Sequence, residues 1–115
     1  KISTNGYKNE YEQVIQVITE NAIESLIEFK IENPTIIISI TKENNLPLFT
    51  IENNGNFLDE EIMDKIFEPY FTTKNKDKHQ GIGLYMSKML IEESMNKKLI
   101  VLNTSFGVKF IIKGW

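Results

Sequence analysis

Apolar residues recur at helical spacing along the first third of the chain. The stripe consists of Val14, Ile18, Ala22 and Phe29, flanked by Tyr11, Ile15 and Leu26. This periodicity predicts one amphipathic helix from Tyr11 to Phe29. Asn9, with Glu12 three residues later, matches a capping box at its start. The Asn33-Pro34 pair is expected to end the helix, because the residue before a proline is disfavoured in the helical region.

Four runs rich in β-branched and apolar residues predict strands. They are Thr35 to Thr41, Leu46 to Glu52, Leu99 to Asn103 and Val108 to Lys113. Residues 2–6 are too short to stand alone and indicate the end of a further strand with a turn. Glu43 to Asn45 and Thr104 to Gly107 are predicted to close two hairpins, since polar residues and glycine punctuate the pattern there.

Two further helices are predicted in the second half of the chain. The shorter one, Glu60 to Ile66, follows Asp59 as N-cap, and the longer one runs from Leu84 to Met95 with Asn96 as a left-handed C-cap. The element order favours an α/β two-layer sandwich, with helices on one face of a mixed, mostly antiparallel sheet. A length of 115 residues is enough for a single domain over 1–115 with one core.

The composition excludes several classes of function but does not by itself identify one. The net charge of −3 argues against a nucleic-acid binder, and no apolar run is long enough to suggest membrane contact. The absence of cysteine excludes a disulfide framework, a thiolate zinc site and a cysteine nucleophile. All 13 basic residues are lysine, so a phosphate group would have to be held by lysines, backbone amides or a metal ion.

The stretch Ile66 to Lys88 carries the strongest functional pattern. A compact apolar and aromatic group is followed by a polar run, Thr72 to Gln80, and then by Gly81-Ile82-Gly83 at the start of a helical segment. Glycines at a helix start expose backbone N–H groups to an anion. The pattern therefore predicts a hinged phosphate-binding loop, although an ordinary turn into a helix explains most such matches.

Four motifs in a fixed order carry a family resemblance. They are Gln13 to Ala22 on the first helix, Glu52 to Gly55 after a strand, the sequence IFEPYFTTK from Ile66 to Lys74, and Gly81 to Leu84. Together they resemble the N box, first glycine box, F box and second glycine box of the ATP-binding catalytic domain of sensor histidine kinases. These kinases share a superfamily with gyrase, heat-shock chaperone and mismatch-repair ATPases. The resemblance spans roughly Gly6 to Lys113 and implies the Bergerat-type ATP-binding fold.

The resemblance also implies a set of site residues with ATP and Mg²⁺ as cofactors. The implied nucleotide-binding residues are Asn21, Asn53, Gly55, Lys74, Gly81, Ile82, Gly83 and Leu84. Asn21 corresponds to the Mg²⁺ ligand, and Asn53 to the position that contacts the adenine amino group. Residues 72–80 correspond to the ATP lid, which includes Lys74 and the single histidine, His79. Without the resemblance, an exposed loop histidine is the better interpretation of His79, and no residue is assigned as catalytic.

Three positions depart from the family pattern. Asn53 stands where the family has an aspartate, so the acceptor for the adenine amino group is neutral and weaker binding is expected. Val17 stands one turn before Asn21, where kinases usually carry asparagine and the ATPases carry a glutamate base. Phe57 replaces the last glycine of the first glycine box and is expected to crowd the floor of the pocket.

These observations leave two main functional hypotheses. The first is a catalytic domain that binds ATP and ADP and donates the γ-phosphate to a histidine on a separate dimerisation and phosphoacceptor domain, absent from this chain. That hypothesis implies a response regulator as a further partner. It also implies a cytoplasmic location for this domain, in a parent protein that can be membrane-anchored. The fragment alone is expected to have no autokinase activity. The second is a degenerate nucleotide-binding or regulatory domain. A hydrolysing ATPase is disfavoured, because Val17 cannot act as a base.

Overall fold

The computed structural model describes residues 8–55, 57–69 and 83–113. Its elements are α1 (Lys8–Glu28), β1 (Ile36–Glu43), β2 (Leu46–Asn53), α2 (Glu60–Lys65), α3 (Gly83–Met89), a π-helical segment (Leu90–Ser94), β3 (Lys98–Asn103) and β4 (Val108–Lys113). No helix in these ranges is both long and apolar enough to span a bilayer.

The described strands form one sheet in the order β1-β2-β4-β3. Each neighbouring pair is antiparallel, so this part of the sheet is antiparallel rather than mixed. The β1–β2 hairpin closes through Asn44 and Asn45, whose φ angles of 54° and 67° are those of a type I′ turn. The predicted two-layer α/β fold and both predicted hairpins are confirmed, whereas the short strand expected within residues 2–6 lies outside the described residues.

One stripe of α1 and one face of the sheet form the core. The stripe is spaced by four residues and comprises Val14, Ile18, Ala22 and Leu26, none more than 5% exposed. Opposite it lie Ile51 of β2, Leu99 of β3 and Phe110 and Ile112 of β4. The predicted helix face was therefore correct except at Phe29, which is 49% exposed.

The predicted last residue of the first helix, Phe29, is within one residue of the observed end, but the predicted start and the predicted terminating pair were wrong. Asn9 lies within α1 rather than before it, and the helix ends at Glu28, ahead of the Asn33-Pro34 pair. Lys30 has a φ of 50°. Hydrogen bonds from Lys30 N to Ile27 O and from Ile31 N to Leu26 O, each 3.1 Å, form a Schellman motif. The left-handed conformation of Lys30 therefore ends α1 several residues before Pro34.

The third helix changes its hydrogen-bonding pattern midway. The sequence predicted one α-helix from Leu84 to Met95, but α3 ends at Met89 and a π-helical segment follows. Met95 N donates to Leu90 O at 3.0 Å, five residues back. The predicted left-handed end at Asn96 is confirmed by its φ of 54°.

The short helix α2 begins where predicted but without its expected side-chain cap. Asp59 is the N-cap residue in extended conformation, yet its carboxylate makes no capping hydrogen bond. Its backbone oxygen accepts a bond from Met63 N at 2.9 Å. The helix buries none of its residues.

The left-handed lysine at the end of α1 generates a stability prediction. Replacing Lys30 with glycine removes a steric cost of roughly 1–2 kcal/mol, offset by about 0.5–1 kcal/mol of added chain entropy. We expect Lys30→Gly to raise the free energy of unfolding by about 0.5–1 kcal/mol, measured by urea denaturation. The control is Glu32→Gly, because Glu32 lacks the positive φ and should gain nothing. A Lys30→Gly protein no more stable than the original would contradict the assignment.

Candidate functional site

A second stripe of α1 runs beside the core stripe and contacts both glycine motifs. Val17, Asn21 and Ser25 follow one another at four-residue intervals. A Cβ placed on Gly83 would lie 3.1 Å from Val17 Cγ1, and one on Gly55 would lie 3.7 Å from Ser25 Oγ. The two motifs therefore lie against α1 about two turns apart, or roughly 12 Å along the helix axis, with Asn21 between them.

The Asn21 side chain is oriented by its own helix. Its amide nitrogen donates to Val17 O at 2.8 Å and the side chain is half-buried. A backbone carbonyl can only accept, so this bond identifies the amide nitrogen and thereby also the position of Oδ1. The Asn21 amide is thus oriented by its own helix at a place midway between the two glycine motifs.

Asn53 ends β2 as a buried polar residue, 5% exposed. Its Oδ1 accepts a hydrogen bond from Gly55 N at 2.8 Å, which is the geometry of an Asx turn. A Cβ on Gly55 would approach that oxygen to 2.7 Å. Glycine at position 55 is therefore what allows the turn to close tightly on the Asn53 side chain.

The loop after Asn53 is held at both ends by asparagine amides. Asn54 Oδ1 accepts from Thr35 N at 2.8 Å, and its Nδ2 donates to Asn33 O at 3.0 Å. Further on, Asn103 Oδ1 accepts from Leu58 N at 2.9 Å while its Nδ2 donates to Leu58 O at 2.8 Å. These bonds connect the first glycine motif to the start of β1 and to the end of β3.

Gly107 allows the β3–β4 turn to lie directly against the end of β2. A Cβ at this position would lie 2.0 Å from Asn53 O and 2.9 Å from Asn54 Cα, both backbone atoms. The turn is closed by a 2.8 Å bond from Thr104 N to Gly107 O, and Thr104 Oγ1 also donates to the Glu52 carboxylate. The backbone beneath Asn53 is thus held by a close contact that only glycine permits.

The beginning of the aromatic motif is fixed to α3 and to the sheet. The Phe67 ring packs edge-on against Phe110, with 6.3 Å between centroids, and Lys88 Nζ lies 4.7 Å from the Phe67 centroid. The same ammonium group pairs with Glu92 at 3.2 Å, and the Glu92 carboxylate accepts from Leu99 N at 3.3 Å. Lys88 therefore joins the aromatic motif to α3 through its cation–π contact, and its ion pair with Glu92 extends the connection to β3.

The structure brings together only part of the predicted site. Asn21, Asn53, Gly55 and Gly83 lie along one side of α1, and half-buried Leu84 packs on the core from the first turn of α3. The remaining predicted positions lie outside the described residues. They are Lys74, Gly81, Ile82 and the whole lid, 72–80. Phe57 is 61% exposed, and its expected crowding of the pocket floor stays a prediction.

Sequence reasoning missed several residues that shape the site. Ser25 could have been found from its position one turn beyond Asn21. The pair Lys88 and Glu92 could have been found from its four-residue spacing on one helix. The contact of Gly107 with the Asn53 backbone had no local signal, because the two positions are far apart in sequence.

Comparison with known proteins identifies the family. The model of histidine kinase-, DNA gyrase B- and HSP90-like ATPases matches residues 6–113, nearly the whole chain. The chain belongs to this ATPase family. Within it, the chain is 37% identical over 76 residues to sensor protein CitS of Halalkalibacterium halodurans, covering 66% of this chain and 14% of that protein. It is 32% identical over 91 residues to sporulation kinase A of Bacillus subtilis, covering 79% and 14%.

Solved structures give the same result for the fold of this family member. The catalytic domain of histidine kinase ThkA superposes with a TM-score of 0.78 at 31% identity, covering 92% of this chain and 66% of that one. ThkA in complex with the response regulator TrrA gives a TM-score of 0.80 at 27% identity, covering 99% and 30%. The chain spans about one seventh of the two curated relatives, 14% of each, and corresponds to the ATP-binding domain of sensor histidine kinases.

The Gly107 contact generates a stability prediction. An alanine there would push its Cβ into backbone atoms of β2, which cannot rotate away as a side chain could. We expect Gly107→Ala to lower the free energy of unfolding by about 2–4 kcal/mol, measured by urea denaturation. Ser105→Ala, in the same turn but exposed, is the control and should change stability by less than about 0.5 kcal/mol. Equal stability of the two variants would show that the close approach is relieved at little cost.

Proposed function

We propose that this chain is the Mg-ATP-binding catalytic domain of a two-component sensor histidine kinase. The observation that carries the proposal is the placement of Asn21 between two glycine motifs on one stripe of α1. Gly83 lies against Val17 at one end and Gly55 against Ser25 at the other. A separation of roughly 12 Å along the helix suits an elongated ligand with chemically different ends, such as a nucleoside triphosphate.

The phosphates are proposed to lie at the Gly83 end of this stripe. Gly81, Ile82, Gly83 and Leu84 would supply backbone N–H groups, and Lys74 a positive charge. With no arginine in the chain, backbone amides, lysines and a metal ion are the remaining means of neutralising a triphosphate. The base would then lie at the opposite end of this stripe of α1, beside Gly55 and the buried Asn53.

Mg²⁺ is proposed to bind through Asn21. The described residues contain no group of three or more His, Cys, Asp and Glu side chains that could hold a metal by themselves. Mg²⁺ does not require one, because it commonly takes one or two protein oxygens together with phosphate oxygens and water. The oriented Asn21 amide, whose nitrogen bonds Val17 O, fits this role. A bound Mg²⁺ would neutralise charge on the phosphates.

The γ-phosphate is proposed to go to a histidine on a separate dimerisation and phosphoacceptor domain. Phosphoryl transfer needs mainly positioning and charge neutralisation from the protein, which the elements above can supply. A response regulator is proposed as a further partner in the parent protein. ThkA was solved in complex with the response regulator TrrA, which supports this assignment by similarity.

A regulatory nucleotide-binding domain without phosphotransfer is the second candidate. Val17 favours it, because an apolar side chain contacts Gly83 where kinases usually carry an amide. Valine can neither orient water nor take a proton, and the same fact disfavours a hydrolysing ATPase. Binding of nucleotide is common to both candidates, whereas transfer to a phosphoacceptor domain separates them.

Nucleotide binding is tested by melting-temperature shifts with ATP, with and without Mg²⁺. ATP at a hundred times its dissociation constant should stabilise the folded chain by about 2.7 kcal/mol. We expect the shift to require Mg²⁺, and Asn21→Ala to abolish most of the Mg²⁺-dependent part, because the proposed oxygen ligand is lost. Gln13→Ala, an exposed change on the same helix, should keep the full shift.

Two results would contradict the proposal. The first is the absence of any shift at millimolar Mg-ATP, which would remove nucleotide binding itself. The second is an unchanged Mg²⁺-dependent shift in Asn21→Ala, which would remove the metal assignment while leaving binding in place. The melting temperatures without ligand show whether either variant is simply misfolded.

Self-phosphorylation offers a separate prediction. The only histidine of the chain is His79, within the proposed lid, and the phosphoacceptor histidine is assigned to another domain. We therefore expect no acid-labile phosphate on the chain after incubation with radiolabelled Mg-ATP. Acid-labile phosphate on His79 would contradict the proposal that the phosphoacceptor histidine lies on a separate domain.

A further inference from the structure

Asn53 is the buried polar group at the base end of the proposed site, and the structure determines which of its amide atoms is which. Gly55 N can only donate, so the Asn53 atom 2.8 Å from it is Oδ1. The other atom is therefore Nδ2, a donor. Orientation of this amide does not depend on any assumption about a ligand, because a backbone N–H decides it.

The Nδ2 atom of Asn53 belongs to a residue that is only 5% exposed. Within the part of the chain that the structure describes, no side-chain or backbone acceptor bonds it. Among the same residues, Thr19 Oγ1 is the single fully buried side-chain polar atom without a partner. Nδ2 is therefore not fully buried, and its hydrogens are not used by any acceptor among the described residues.

A carboxamide differs from a carboxylate in what it can recognise on a purine. The 6-position carries an amino donor in adenine and a carbonyl acceptor in guanine or hypoxanthine. A carboxylate can accept from the amino group but has nothing to donate to the carbonyl. Asn53 can do both, since Nδ2 donates and Oδ1 has a second lone pair besides the one used by Gly55 N.

We propose that Asn53 makes this pocket accept 6-oxo purine nucleoside triphosphates alongside ATP. The inference rests on the proposed function, because it assumes that the base lies at the Asn53 end of α1. The ribose, triphosphate and metal contacts are common to both nucleotide classes. The two classes also differ at N1, which accepts in adenine and carries a hydrogen in hypoxanthine and guanine. At the 6-position, either class finds one matching atom of the Asn53 side chain.

The test compares ATP with ITP, which places a carbonyl where ATP has the amino group, by calorimetric titration of the 115-residue chain with Mg²⁺. We expect the two dissociation constants to agree within about fivefold. Asn53→Asp should bind ITP at least about tenfold more weakly relative to ATP, because two acceptors then face each other. Asn45→Asp makes the same chemical change in the exposed β1–β2 turn and should leave the ratio unchanged.

Each outcome decides the proposal. A more than fivefold preference of the original chain for ATP overturns it, as does an Asn53→Asp ratio equal to that of the original chain. If its melting temperature shows that Asn53→Asp is misfolded, Asn53→Ala is used instead. Asn53→Ala should raise the dissociation constants of both nucleotides by about tenfold. Unchanged dissociation constants in Asn53→Ala overturn the assignment. Failure of both nucleotides to bind the original chain overturns the proposed function as well, whereas binding of ATP alone removes only this inference.

Discussion

Helix α1 packs through two neighbouring stripes of side chains, and the core and the candidate site each depend on one of them. The first stripe, which includes Val14 and Ile18, is fully buried against the sheet. The second contacts Gly83 through Val17 and Gly55 through Ser25. Because both stripes belong to one rigid helix, packing of the core sets the separation of the two glycine motifs. Any shift of α1 along the sheet would move both ends of the site together.

Neutral amides and missing Cβ atoms hold the loops around this helix. The amide of Asn53 closes a turn on Gly55 N, Asn54 bonds the chain before β1, and Asn103 pairs with both backbone groups of Leu58. Such bonds satisfy backbone groups at strand ends with neutral side chains. Because Gly107 has no Cβ, the β3–β4 turn can contact the backbone of Asn53 closely.

Local patterns predicted the elements well and their ends less well. The hairpin at Asn44 and Asn45 and the left-handed Asn96 were correct, because these conformations follow from the residue itself and its immediate neighbours. The predicted terminator of α1, Asn33-Pro34, was wrong because Lys30, a residue with no preference for positive φ, adopts it in a Schellman motif. The π-helical segment after Met89 was also missed. Its hydrogen-bond pattern leaves no distinct period in a sequence of five residues.

The sequence by itself determined the order of elements, the antiparallel hairpins and the family, because periodicity and motifs such as IFEPYFTTK are local properties. Tertiary structure alone decided which residues meet. The contacts of Val17 with Gly83 and of Gly107 with the Asn53 backbone join positions far apart in the chain, so no local pattern encodes them. The same holds for the donor that Asn53 presents. Its chemistry was visible in the sequence, but its direction follows from one backbone N–H in the folded turn.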